Sequence, residues 1–205
     1  PRTVPSFDRN FWLNVADGAF VTAGMALCSL QVFLPSWLLQ LGATPAVIGL
    51  LPVVWFTGFA LPQVLSAEYV KPLVNRHPFL LRWGLFIRLP WLALAVAAWW
   101  FRDQFLALIL LTFVATAACV ASIGVVNPVW LSFIGKVTPV EHRGRLHGFR
   151  LFFGGPISLA GTWLAGVILA RVAFPVNYGW VFGLAFVFFM LSWACFSAVK
   201  EQVPS

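Results

Sequence analysis

Charge is the scarcest property of this sequence: 9% of its residues are Asp, Glu, Lys or Arg, against about 25% in a soluble domain. So few polar groups cannot cover a water-facing surface, which excludes an ordinary soluble globule. Acids are scarcer than bases, 6 against 13, and the net charge of +7 would point to nucleic acid in a soluble chain. Here the bases gather in short runs between apolar segments, so no nucleic-acid partner is expected. Cysteine is nearly absent as well. Cys28, Cys119 and Cys195 each stand alone inside an apolar segment. That excludes a disulfide framework and a zinc site and leaves them as small apolar fillers. No Gly-x-Ser-x-Gly, His-Glu-x-x-His or P-loop pattern occurs. His77, His142 and His147 lie outside the apolar runs, away from any intramembrane carboxylate cluster. The expectation is a protein that is not an enzyme and that needs no metal or cofactor. Pro1 to Asn10 contain no hydrophobic h-region, so no cleaved signal peptide is read there.

What the chain has in abundance is apolar sequence, 61% by composition. A membrane helix needs about 20 mostly apolar residues. Six segments qualify: 11–39, 47–65, 83–101, 105–130, 151–173 and 178–199. The fold class is therefore an all-α membrane protein with six transmembrane helices. A β-barrel would alternate apolar and polar residues over about ten positions, and these runs are continuously apolar. Gly124 and Pro128 are candidate bends in the long fourth segment, because Pro removes a helix hydrogen bond.

The connections orient the spans. The stretch Phe133 to Arg150 carries Lys136, Arg143, Arg145 and Arg150 against Glu141, and the connection 67–82 carries Lys71, Arg76 and Arg82 against Glu68. Basic loops stay on the cytoplasmic side. With six crossings, Arg2, Arg9 and Lys200 fall on that side too, and only Arg102 and Arg171 fall opposite. The expectation is a multi-pass protein of the cell membrane with both termini cytoplasmic. Trp12, Trp37, Trp83, Trp99, Trp100 and Trp180 stand near span ends, where an amphipathic ring suits the interface.

Polar residues inside the spans are the candidate pathway for a solute or ion. Asp17, with Asn14 one turn before it, is the only acid within a span, and a carboxylate there usually faces a cavity or a partner. It could take part in ion coupling or pair with Arg near the inner interface. Arg88, at similar depth in the third span, is a candidate partner. Gln31, Asn127, Thr22, Thr57 and Gln63 could bond a solute or a neighbouring helix. The small residues Gly154, Gly155, Ala160, Gly161, Ala165, Gly166 and Ala170 suit close helix packing in the fifth span, or a sliding contact. In the basic run, Gly144 could adopt a positive φ. Arg143 and Arg145 beside it could bond helix C-terminal carbonyls or Glu68.

With spans and loops placed, the chain resembles the N-terminal six-helix half of a major facilitator superfamily transporter. Pro139-Val-Glu-His-Arg143-Gly144-Arg-Leu-His-Gly148 is similar to the Pro-x-x-x-Arg-Gly-x-x-x-Gly loop between the fourth and fifth helices of many bacterial members. Phe152-Phe-Gly-Gly-Pro156 fits a Gly-rich fifth helix. Leu41 to Gly49 resembles the first turn of the family, and Arg88-Leu-Pro-Trp91 a third-helix segment. Between the second and third helices Glu68 stands for the acid of the family pattern, while Val64 and Pro72 depart from it and Arg76 comes late. The fourth span has no charge between Asp103 and Lys136. The resemblance implies two inverted three-helix repeats and secondary transport of a small solute, in the lipid bilayer, with a second six-helix half as partner. It makes Glu68, Arg76, Arg143, Gly144 and Arg145 candidates for a cytoplasmic gate. A six-helix scaffold or assembly subunit without transport is the alternative.

Overall fold

The computed structural model describes residues 5–70 and 75–200. Arg2, Lys71 and Pro72 lie outside them. Among the described residues the chain forms helices only: α1 (Pro5–Leu27), α2 (Phe33–Gln40), α3 (Pro45–Ile48), α4 (Leu50–Val70), α5 (His77–Trp100), α6 (Phe105–Val137), α7 (Val140–Arg171) and α8 (Val176–Ser197). Five stretches are long and apolar enough to cross a bilayer: Pro45–Ser66, His77–Trp100, Phe105–Val137, Val140–Arg171 and Val176–Ser197. The chain is thus a helical multi-pass membrane protein.

Two expected boundaries are corrected. The first span, read as continuous over 11–39, is broken at Cys28–Val32 into α1 and α2. At the break the Ser29 carbonyl accepts from the Leu34 amide at 3.1 Å and Ser29 Oγ accepts from the Phe33 amide at 3.4 Å. These bonds satisfy part of the freed backbone, as a broken helix in lipid requires. The basic run, read as a loop between spans 105–130 and 151–173, is almost entirely helical. Helix α6 continues to Val137, α7 starts at Val140, and only Thr138 and Pro139 connect them. At 1.5 Å per residue the 33-residue α6 is about 50 Å long, more than the ~30 Å hydrocarbon layer. A straight crossing therefore leaves part of it beyond that layer, and the end that carries Lys136 is the part that water suits.

Packing follows a definite pattern. Helix α1 packs on α7 and α8, α4 packs on α6, and α5 packs on both α6 and α8. Gly124 lets α4 and α6 approach: a Cβ there would sit 2.3 Å from the Phe59 carbonyl oxygen. The fifth-span small residues divide. Gly154 faces Thr22, Gly161 faces Phe188 and Ala165 is fully buried. Gly155 and Gly166 face open space.

The core is widest away from the basic end. Trp37, expected at an interface, is instead fully buried. Its Nε1 donates to Thr112 Oγ1 at 2.9 Å, and its ring lies against Tyr178 and Phe182 at 5.1 and 5.6 Å. Tyr178 in turn donates to Ser36 Oγ at 2.7 Å. The helix break turns α2 inward and carries Trp37 into the bundle. Cys28 and Cys119 are buried free thiols, and Cys195 is half-buried, consistent with their expected role as fillers.

Both described chain ends lie at the basic end. Asn10 Nδ2 donates to the Lys200 carbonyl at 2.9 Å, and the Lys200 amide donates to Asn10 Oδ1 at 3.2 Å. His77 Nε2 lies 3.1 Å from the Phe196 carbonyl, holding α5 to α8 at the same end.

Candidate functional site

A cavity of about 220 Å³ opens among α1, α5, α6, α7 and α8 near the basic end. Asp17, Arg88, Asn127 and Arg150 supply its polar wall, and Val21, Met25, Ile87, Ile123 and Phe189 much of its apolar one. Three of the five pathway candidates therefore meet here: Asp17, Arg88 and Asn127.

The charged groups form one connected set. Arg150 Nη1 lies 3.1 Å from Asp17 Oδ2. Ser192 Oγ donates to Asp17 Oδ1 at 2.7 Å and accepts from Arg88 Nη2 at 3.1 Å. The direct partner of Asp17 is thus Arg150, and Arg88 reaches it only through Ser192. Arg88 is further held by Nε donating to the Phe189 carbonyl at 2.7 Å and by Nη1 donating to the Gly84 carbonyl. Both arginines lie across a glycine. A Cβ on Gly84 would meet Arg88 Nη1 at 2.9 Å, and a Cβ on Gly18 would meet Arg150 Nε at 2.1 Å. Gly18 and Gly84 therefore give two long side chains room inside a helix bundle. Arg150 also stacks against Trp130, 5.0 Å from the ring centroid.

Asn14 stands beside the cavity. Its carbonyl accepts from Arg150 Nη1 at 2.8 Å and its side-chain amide donates to the Asn10 carbonyl at 2.8 Å. Its buried Oδ1 has no partner among the described residues. Gln31 is exposed at the break between α1 and α2, away from the cavity lining. Thr22 and Thr57 bond backbone carbonyls one turn back in their own helices. Gln63 lies where α4 meets α6, its amide 3.3 Å from the Cβ that Gly124 lacks.

The expected gate residues resolve separately. Arg143 bonds helix C-terminal carbonyls, as expected: its Nε donates to Thr138 at 3.1 Å and its Nη2 to Gly135 at 2.8 Å. It clamps the end of α6 to the start of α7. Gly144 is helical, with no positive φ, and that expectation is corrected: the one positive-φ glycine among the described residues is Gly42. Arg145 is exposed, with its guanidinium 5.8 Å from the Phe149 ring. Glu68 is exposed near the end of α4, and Arg76 is half-buried at the start of α5.

The clamp makes a prediction. Arg143→Lys keeps the charge but lacks the planar fork, so one of two charge-assisted bonds is lost, worth about 1–2 kcal/mol. Insertion and expression should be unchanged, and the melting temperature of the purified protein should fall. An unchanged melting temperature would mean that the clamp contributes nothing.

Sequence reading missed Ser192 and the role of Arg150. Ser192 gives little signal, being one hydroxyl in an apolar run. Arg150 was visible as a charge, but the run around it was read as loop. As helix, α7 has Arg150 ten residues past its first, at the depth of Asp17.

No family model, curated protein or solved structure matches the chain.

Proposed function

We propose that the chain is one six-helix half of a secondary transporter of the major facilitator type, moving a small solute across the cytoplasmic membrane by alternating access. The observation that carries this reading is the buried charged set in an apolar bundle: Asp17 is 4% exposed and Arg88 7%. Ionisable groups at such depth are expensive and mark substrate or ion paths more often than they serve packing.

The helix pairing supports the inverted repeat. Exchanging the first three crossings with the last three maps the α1–α7 contact onto α6–α4, and α1–α8 onto α6–α5, while α5–α8 maps onto itself; the smaller α7–α8 contact has no counterpart of its size between α4 and α5. Such exchange is what two inverted three-helix units would produce. Exposed apolar residues on α4 (Phe56, Leu61, Leu65) and α7 (Leu151, Leu159, Trp163) suit lipid and a second half. In this reading Arg143 holds the inner ends of the fourth and fifth crossings together.

The orientation is tested by cysteine labelling in a Cys-free variant. Single cysteines at Asn75 and His147, both exposed, should react with an impermeant reagent only after the inner face is opened, whereas one at Asp103 should react in intact cells. Labelling of Asn75 or His147 in intact cells would reverse the topology.

Transport is tested by comparing the small-molecule content of cells, and of reconstituted vesicles, with and without the protein expressed from its complete reading frame. One solute should differ in both. Asp17→Asn should then lower its flux severalfold at unchanged membrane level. If no solute differs, the transport reading fails.

A further inference from the structure

We propose that the cavity takes a small organic anion, its acidic group held between Arg88 and Arg150 and its apolar body against Ile87, Ile123 and Phe189. The inference rests on the transport reading and names its substrate class. Two guanidinium groups face one carboxylate in the lining, so the cavity carries one positive charge in excess. An uncompensated charge in a bundle interior is costly, and a bound anion would neutralise it.

The geometry favours an anion over a cation. Both oxygens of Asp17 are engaged, Oδ1 by Ser192 and Oδ2 by Arg150. A cation would have to displace an arginine and would meet two like charges. The arginines, by contrast, keep donors in reserve. Arg88 uses one N–H at each of its three nitrogens, which leaves two of the five a guanidinium carries. Arg150 bonds through Nη1 alone among the described residues; its Nε packs against Gly18, and Nη2 keeps both its N–H groups. Both forks are already immobilised, Arg88 by the Phe189 and Gly84 carbonyls and Arg150 by Trp130, so ordering them on binding costs little. Asn127 adds a neutral amide. A volume of about 220 Å³ lies below the ~300–1,000 Å³ of drug-sized sites, which limits the solute to a small metabolite.

Asp17 then acts as an internal competitor for Arg150, and this separates the proposal from a purely structural ion network. The experiment is thermal stabilisation of the purified protein, expressed from its complete reading frame, in lipid nanodiscs by benzoate, benzenesulfonate and phenylphosphonate, with benzamide and benzylamine as neutral and cationic counterparts. At least one anion should raise the melting temperature with dose, and neither counterpart should. Asp17→Asn, which removes the competing charge, should lower the half-saturating concentration by on the order of tenfold. Arg88→Gln should abolish the response. Should that variant not fold, Arg150→Lys serves instead and should weaken the response, because the ammonium lacks the planar fork. Stabilisation by benzamide equal to that by benzoate overturns the inference, as does no response to any of the three anions, or weaker anion binding in Asp17→Asn. Discovery of a neutral or cationic solute in the transport comparison would overturn the anion class while leaving transport intact. Absence of any solute there would overturn transport itself.

Discussion

Gly124→Leu is expected to prevent stable docking of α4 and to cost the protein most of its folded yield. A Cβ at that position would lie 2.3 Å from the Phe59 carbonyl oxygen, 3.2 Å from the Phe59 carbonyl carbon and 3.3 Å from the Gln63 amide. All three are backbone atoms of α4, so no side-chain rotation relieves the clash. The helices would have to separate, and α6 is the main partner of α4. Packing in lipid depends on close approach rather than on expulsion of water, so separation forfeits the interaction. Overpacking costs about 1–3 kcal/mol in ordinary cores, and a backbone-to-backbone clash belongs at or above the top of that range. The measurement is monodisperse yield and melting temperature in detergent, with Gly155→Leu as control because nothing lies within 4 Å of a Cβ there. Equal behaviour of the two variants would refute the close approach of α4 and α6.

Arg150→Met should be the most damaging single change in the cavity. It removes the ion-pair partner of Asp17 and leaves a carboxylate, 6% exposed at its side chain, with Ser192 as its one direct hydrogen-bond donor among the described residues. Breaking a buried pair from one side costs about 3–5 kcal/mol, because the remaining charge is uncompensated. Arg150→Met combined with Asp17→Asn should recover most of that loss, since a neutral amide needs no counter-charge. The readout is a double-mutant cycle on melting temperature, which isolates the coupling between the two positions. Additive losses would mean that the 3.1 Å contact carries no energy and that Arg150 matters through its bond to the Asn14 carbonyl and its packing against Trp130 and Gly18.

The role of Gly124 was not legible in the sequence. Gly124 drew attention as a possible bend beside Pro128, yet α6 is helical through both, and the glycine is there to admit α4. The sequence shows a missing side chain but not what approaches it. The same limit applies to Gly18 and Gly84, which mark the paths of two arginines. Trp37 was misplaced for a related reason. Its position along a continuous span suggests an interface, and only the break at Cys28–Val32 turns it into the core.

Asp17 was legible because a lone acid among apolar residues is conspicuous in any register. Its partner was not, because pairing depends on which helices are neighbours. Depth alone nominated Arg88; helix adjacency selected Arg150 on α7, with Ser192 on α8 as the link to Arg88. Arg143 was anticipated as a ligand of helix carbonyls, and it is one, but within a helical hairpin rather than a loop.

Composition and the lengths of the apolar runs determined by themselves that this is a helical membrane protein and roughly where its chain crosses, since only a helix satisfies its own backbone in lipid. The spacing of bases suggested which ends belong together, and the Asn10–Lys200 bonds join those ends. What only the tertiary structure decided is the cavity: which charges share it, which one is in excess, and which glycines make room for them. Those facts depend on contacts between residues more than a hundred positions apart, such as Asp17 with Arg150 and Ser192. Local periodicity, which repeats within a single helix, carries no information about them.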